Sequence, residues 1–314
     1  MTVPPRLAPA VLLLALSVLP CPSSWASASA PAADDIACPP APHTRDDLVA
    51  LAAAGFQPAR GGDESAWIVR LLACAEDADP AIRDGVVFEA WQRWLRAGRV
   101  DPEILPGLAR TLMARLAGPP DDDGFRHPFA ALLLSELARA DRLQPFLEAG
   151  QRRDLLDLAA RWLPSVRDHR AWDPVEGWRH AVAHGADLVL QVGLHPQVDA
   201  DGVRRLLDAL ASQVAPPGHA YRHGEPERLA RAAVFLHGRG LLTETQWRDW
   251  LEGVSSPAPL ADWPASFGSA AGQARRHNVL AFLHALAFAM RVQHGADSAQ
   301  AALLDAQLRR LHGG

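Results

Sequence analysis

Asp79-Pro80, Asp101-Pro102 and Asp173-Pro174 repeat one local instruction along the chain. An aspartate before a helix accepts hydrogen bonds from the free N–H groups of the first turn, and a proline at the first helical position forfeits no bond. Further starts read at Thr44 with Asp47 three residues on, and near Arg126, Gln151, Asp199 and Glu225. From Asp79 to Glu225 the starts fall about 22 to 26 residues apart, so two helices make a unit near the ~40–47 residues of helical-hairpin repeats. No stretch alternates apolar and polar residues with the period of two that a half-buried strand needs. The expected fold is all-α: a right-handed array of antiparallel helix pairs, α-solenoid-like, as in armadillo and HEAT proteins.

At 314 residues with 49% hydrophobic content, the chain has ample core material. The formal net charge is -5, and all 31 Lys/Arg positions are arginine. A mildly acidic chain lacks the basic footprint of a nucleic-acid binder. The start, "MTVPPRLAPAVLLLALSVLPCPSSWASASAPA", places one Arg before an apolar run from Leu7 to Leu19. Small residues follow in an A-x-A pattern at Ala26, Ala28 and Ala30. That is the layout of a secretory signal peptide. The expected organisation is a signal peptide over 1–28, a flexible linker over 29–43 and one helical domain over 44–314, located in the periplasm or secreted. No later segment is apolar and long enough for a membrane span. Signal removal takes Cys21 and leaves Cys38 and Cys74, an even pair in an oxidising compartment. A disulfide is expected.

The stretch "VEGWRHAVAHGAD", Val175 to Asp187, carries the densest chemistry. Read as a helix from Asp173, it places Asp173, Glu176, His180, His184, Asp187 and Gln191 within an arc of about 80°. Apolar residues fill most of the remaining circumference, Arg179 excepted. A narrow stripe of compact histidines and carboxylates points to a polar groove rather than an open solvent face. Asp173 with Glu176 also fits a capping box. Asp187, one turn after His184, is placed to fix its tautomer. His180 and His184, four residues apart, can both reach one divalent metal, with His277 of "RRHNVLAFLHALAF" as the third ligand. The sequence has no H-E-x-x-H, no Gly-rich phosphate loop and no G-x-S-x-G elbow, so no cofactor is predicted beyond that possible metal. Weaker binding candidates are Tyr221, the only tyrosine, Arg228, Arg276 and Asn278. Tryptophans could stack on sugars, although Trp91, Trp94, Trp247 and Trp250 sit at spacings that favour core packing.

The segments "VEGWRHAVAHGADLV", "YRHGEPERLARA" and "RRHNVLAFLHAL" resemble the bacterial domain-of-unknown-function family 2785. Its members carry a similar E-G-x-x-W-x-H-A-x-A-H-x-A-D core. Glu176, Trp178, His180, His184 and Asp187 stand where that core's residues stand, with one residue fewer between Glu-Gly and Trp. The resemblance runs from about Leu48 to the C-terminus and implies no activity. Two readings remain. One is an exported binding module whose histidine-lined groove, with Glu176, Trp178, Tyr221, Arg228, Arg276, His277 and Asn278 at its walls, takes an envelope protein, peptide or polymer. The other is a hydrolase using His180, His184 and Asp187, or a metal held by His180, His184 and His277.

Overall fold

A computed structural model describes residues 37–58 and 63–312. The expected signal peptide, and the linker up to residue 36, lie outside the described residues. Among the described residues the chain is predominantly α-helical. The helices are α1 (Arg45–Ala53), α2 (Glu64–Leu71), α3 (Pro80–Ile82), α4 (Glu89–Arg96), α5 (Leu105–Ala117), α6 (Arg126–Leu143), α7 (Ala149–Ser165), α8 (Ala181–Gly193), α9 (Ala200–Ser212), α10 (Glu225–His237), α11 (Glu244–Val254), α12 (Ala270–His294) and α13 (Ala299–His312). A π-turn, Arg83–Phe88, joins α3 to α4 without a break. The one sheet among these residues is a two-residue hairpin of β1 (Trp172–Asp173) and β2 (Gly177–Trp178).

Several starts form as the sequence dictates. Thr44 and Asp47 make a reciprocal capping box on α1, Asp79 accepts from the Ala81 N–H, and Asp199 accepts from the Gly202 N–H. The other two Asp-Pro steps start turns instead. The Asp101 carboxylate accepts from the Glu103 N–H, and the helix begins only at Leu105. Asp173 accepts from the Val175 and Glu176 N–H groups at 2.8 and 3.0 Å and closes the hairpin turn. The helix expected from Asp173 is therefore corrected: it begins at Ala181, and Asp173, Glu176 and Trp178 lie outside it.

The packing falls into two rows. Helices α4, α6, α8, α10 and α12 pack consecutively in one, and α5, α7, α9 and α11 in the other. Contacts within the first row join start to start and end to end. His184 meets Pro128, Asp187 meets Arg228, Arg142 meets Gln191, and Arg239 bonds the Gly193 carbonyl. Hence α6, α8 and α10 run the same way. At the far end His237 meets His294 of α12, while Tyr221, before α10, meets Asn278, so α12 follows. The second row runs oppositely, because the Trp162 indole at the end of α7 reaches His127 at the start of α6. One continuous apolar core extends from Leu48 to Leu311. Trp91, Trp94 and Trp247 belong to it, as their spacing indicates.

Cys38 and Cys74 form the expected disulfide, with Cα atoms 5.0 Å apart across a sequence separation of 36. A loop of that length corresponds to roughly 4 kcal/mol of chain-entropy stabilisation. Among the described residues no helix is long and apolar enough to cross a membrane.

Candidate functional site

The parallel course of α6, α8, α10 and α12 brings their first turns, and the loops before them, to one end of the row. The histidine motif lies there. His180 is the residue before α8, and its backbone is left-handed at φ 55°. That region is sparsely used by residues other than glycine, with histidine among the more tolerant. The turn sends the chain from the hairpin into the helix. The His180 ring stacks on Trp178 at 4.7 Å between centroids and meets the His184 ring edge-on at 5.9 Å. Its Nε2 lies 3.6 Å from the Glu225 carboxylate, beyond hydrogen-bond reach, and has no other hydrogen-bond partner among the described residues. Glu225 is buried at the first position of α10 and accepts from the His223 N–H at 3.0 Å. Burial pushes the His180 pKa down to about 4, against the upward pull of Glu225.

His184 is buried one turn into α8. Its Nδ1 lies 3.1 Å from the Pro128 carbonyl, and its ring meets Phe129 edge-on at 5.4 Å. A carbonyl only accepts, so Nδ1 carries the proton and Nε2 keeps the lone pair. Burial holds the ring's pKa well below the usual histidine value. Asp187 does not fix this tautomer, contrary to the sequence reading. It forms a two-point ion pair with Arg228 of α10. Burial raises the Asp187 pKa and Arg228 opposes it.

The hairpin is clamped from a distance that no local pattern reveals. Arg83, fully buried at the start of the π-turn, donates to the carbonyls of Asp77, Ala78, Glu176 and Trp178 and pairs with Asp84. Its guanidinium lies 3.9 Å over the Phe125 ring, and that of Arg179 lies 4.4 Å from the same ring. Arg179 also holds Glu176 at 2.9 Å. Gly177 has φ +71°, and a Cβ there would sit 2.7 Å from Pro80 Cβ, so only glycine lets the hairpin approach α3 this closely. The clamp leaves two indoles facing outward, Trp172 and Trp178, which are cross-strand partners 49% and 37% exposed. His223 meets Trp178 edge-on at 6.1 Å.

The remaining candidates are placed elsewhere. His277 is exposed; its Nε2 bonds the Tyr221 carbonyl, and it shares a shallow depression with Arg276 and His284. It does not join His180 and His184. Among the described residues no three His, Cys, Asp or Glu side chains come together so as to hold a metal ion. Tyr221 and Asn278 are buried struts: the Tyr221 hydroxyl donates to the Gln213 carbonyl, and the Asn278 side chain bonds Tyr221 and His219 backbone groups. Arg276 lies over Phe267 and donates to the Leu311 carbonyl. Sequence reasoning missed Arg83, Glu225, Pro128 and His223 as parts of the site. For Glu225 and His223 a signal existed, since both fall in the "YRHGEPERLARA" segment.

Taken together, these features define an all-helical protein with a buried histidine pair under an exposed tryptophan hairpin at one end of a parallel helix row. The profile of the family described as "Protein of unknown function (DUF2785)" matches residues 112–288, and the chain belongs to that family. The matched range takes in α6 through α11, the hairpin and most of α12, but not Arg83. No curated protein and no solved structure matches the chain.

Proposed function

We propose that this chain is an exported binding protein whose site is the tryptophan hairpin, and that it recognises a cell-envelope glycan. One observation carries the reading. Trp172 and Trp178 are exposed, yet the hairpin that bears them is pinned from beneath by a fully buried arginine and a stacked, buried histidine. Large aromatic side chains held rigidly at a surface lose little entropy on contact and offer flat apolar faces to sugar rings. The left-handed backbone at His180 and its unpartnered Nε2 mark the same spot as one where local stability is sacrificed. The disulfide and the lack of a membrane-spanning helix among the described residues agree with export.

Tryptophan fluorescence titrations with envelope oligosaccharides test the site. Saturable quenching is expected, weakened at least tenfold by Trp178→Ala. Binding that survives Trp172→Ala and Trp178→Ala together overturns the assignment. Export is tested on the mature protein from its host, whose N-terminus is expected between Ala26 and Pro31; an intact Met1 chain in the cytosol overturns it. A hydrolase reading has one observation of its own, the lone pair left on Nε2 of neutral His184. Turnover of a bound oligosaccharide that disappears in His184→Gln would establish it.

A further inference from the structure

Beside the hairpin lies a depression of about 470 Å³ that the glycan reading leaves unused. Its size is within the ~300–1,000 Å³ of small-molecule sites. His223 belongs to both places: it lines the depression and touches Trp178. The other polar side chains of the wall are His169, Arg170, His219 and Arg222, and no carboxylate lines it.

The donors divide into engaged and free. Arg170 is neutralised by Asp168, which it holds through two nitrogens. The Gln213 amide nitrogen donates to the Leu163 and Val166 carbonyls, so its oxygen is the acceptor facing His169 Nε2 at 3.3 Å. His169 is thereby fixed as a donor there and stacks on His219 at 5.0 Å. Glu225 is buried and already accepts from the His223 N–H. The Arg222 guanidinium and the His219 and His223 side chains have no hydrogen bond or ion pair among the described residues. Three side chains able to donate thus stand round one concavity with no carboxylate in its wall.

We infer that this depression, formed by His219, Arg222 and His223 beside the tryptophan hairpin, binds the carboxylate of an acidic sugar residue in the glycan. The inference rests on the glycan reading and narrows it to a uronate-bearing polymer. A guanidinium pairs with a carboxylate through two parallel bonds, and each imidazole supplies a further N–H. The neighbouring residue of the polymer would then lie on Trp178, because His223 borders both surfaces.

The test is calorimetric titration of the full protein with an oligogalacturonate and with a neutral oligosaccharide of the same length. Hydrogen bonds to a charged group predict about tenfold tighter binding of the acidic one. The double variant Arg222→Ala/His219→Ala should remove that preference, while Trp178→Ala weakens both ligands alike. Equal affinities, or a preference that persists in the double variant, overturn the carboxylate site and leave the glycan reading standing. If neither oligosaccharide binds, the glycan reading has failed, and monomeric glucuronate decides the pocket. Its addition should shift the His219 and His223 imidazole resonances; no shift, or tighter binding of inorganic phosphate than of glucuronate, overturns the inference.

Discussion

Arg83→Met isolates what the buried clamp does for the surface above it. The wild-type guanidinium is fully buried and serves four backbone carbonyls and the Asp84 carboxylate. Methionine fills most of the same volume but donates nothing. A buried acceptor left without its donor costs about 1–3 kcal/mol. The Glu176 and Trp178 carbonyls lie in a hairpin whose indoles are already half exposed, so they regain water if the hairpin lifts. The loss should therefore stay below the simple sum, near the ~3–5 kcal/mol typical of removing one partner of a buried charge. In a chain of this size each kcal/mol lowers the midpoint by roughly 2–4 °C, so a fall of about 10 °C is expected by calorimetry. Tryptophan emission should shift to the red as the Trp178–His180 stack opens, and limited proteolysis should cut first between 170 and 180. Arg83→Lys should recover only part of the loss, since an ammonium cannot span the four carbonyls. The control is Arg93→Met, an exposed pair with Glu89, expected within about 1 kcal/mol of wild type. A midpoint drop below about 2 °C with unchanged emission would refute the clamp.

Three further outcomes are expected. Reducing the Cys38–Cys74 disulfide should cost roughly 4 kcal/mol, read as a lower denaturant midpoint with dithiothreitol than without. His180 is depressed to about 4 in the folded protein against an ordinary 6.5, so between those values the unfolded chain binds the proton and the folded one does not. Its contribution is complete above pH 6.5 and is lost as pH falls towards 4, by on the order of 3 kcal/mol. His180→Asn, which keeps the left-handed backbone accessible, should flatten the stability profile in that window; an unchanged slope would count against the assignment. Gly177→Ala must place a methyl against Pro80 at positive φ, and should cost about 1–3 kcal/mol by thermal melting while weakening glycan binding.

Most of the scaffold was legible because caps act over three residues. Thr44, Asp79 and Asp199 each announce a helix, and all three helices form. The same chemistry misleads at Asp173. A carboxylate accepting from the second and third N–H groups onward is a helix cap or a turn, and the deciding fact is Gly177, whose positive φ turns the chain back against Pro80. The histidine pair was visible as a motif, but its partners were not. Pro128, Glu225 and Arg83 lie 56, 45 and 97 residues from the histidine each one approaches or underlies, and nothing local encodes such meetings. His277 shows the reverse failure: it shares a resembling segment with the site yet faces solvent, because its helix turns Asn278 inward to brace the Tyr221 loop.

The common direction of α6, α8, α10 and α12 has an electrostatic consequence of its own. Each helix carries the equivalent of roughly half a positive charge at its N-terminus, from peptide dipoles aligned along its axis. Four such ends gathered beside the histidines and the tryptophan hairpin make a field supplied by the backbone and independent of any side chain. It disfavours a proton on His180 and His184 and favours negative charge in their neighbourhood. Removing a single arginine there would leave most of it in place. The second row runs oppositely and sets its carbonyl ends beside these N-termini, as where Trp162 at the end of α7 meets His127 at the start of α6, so the two rows offset each other at long range and the positive field is confined to the first turns next to the hairpin.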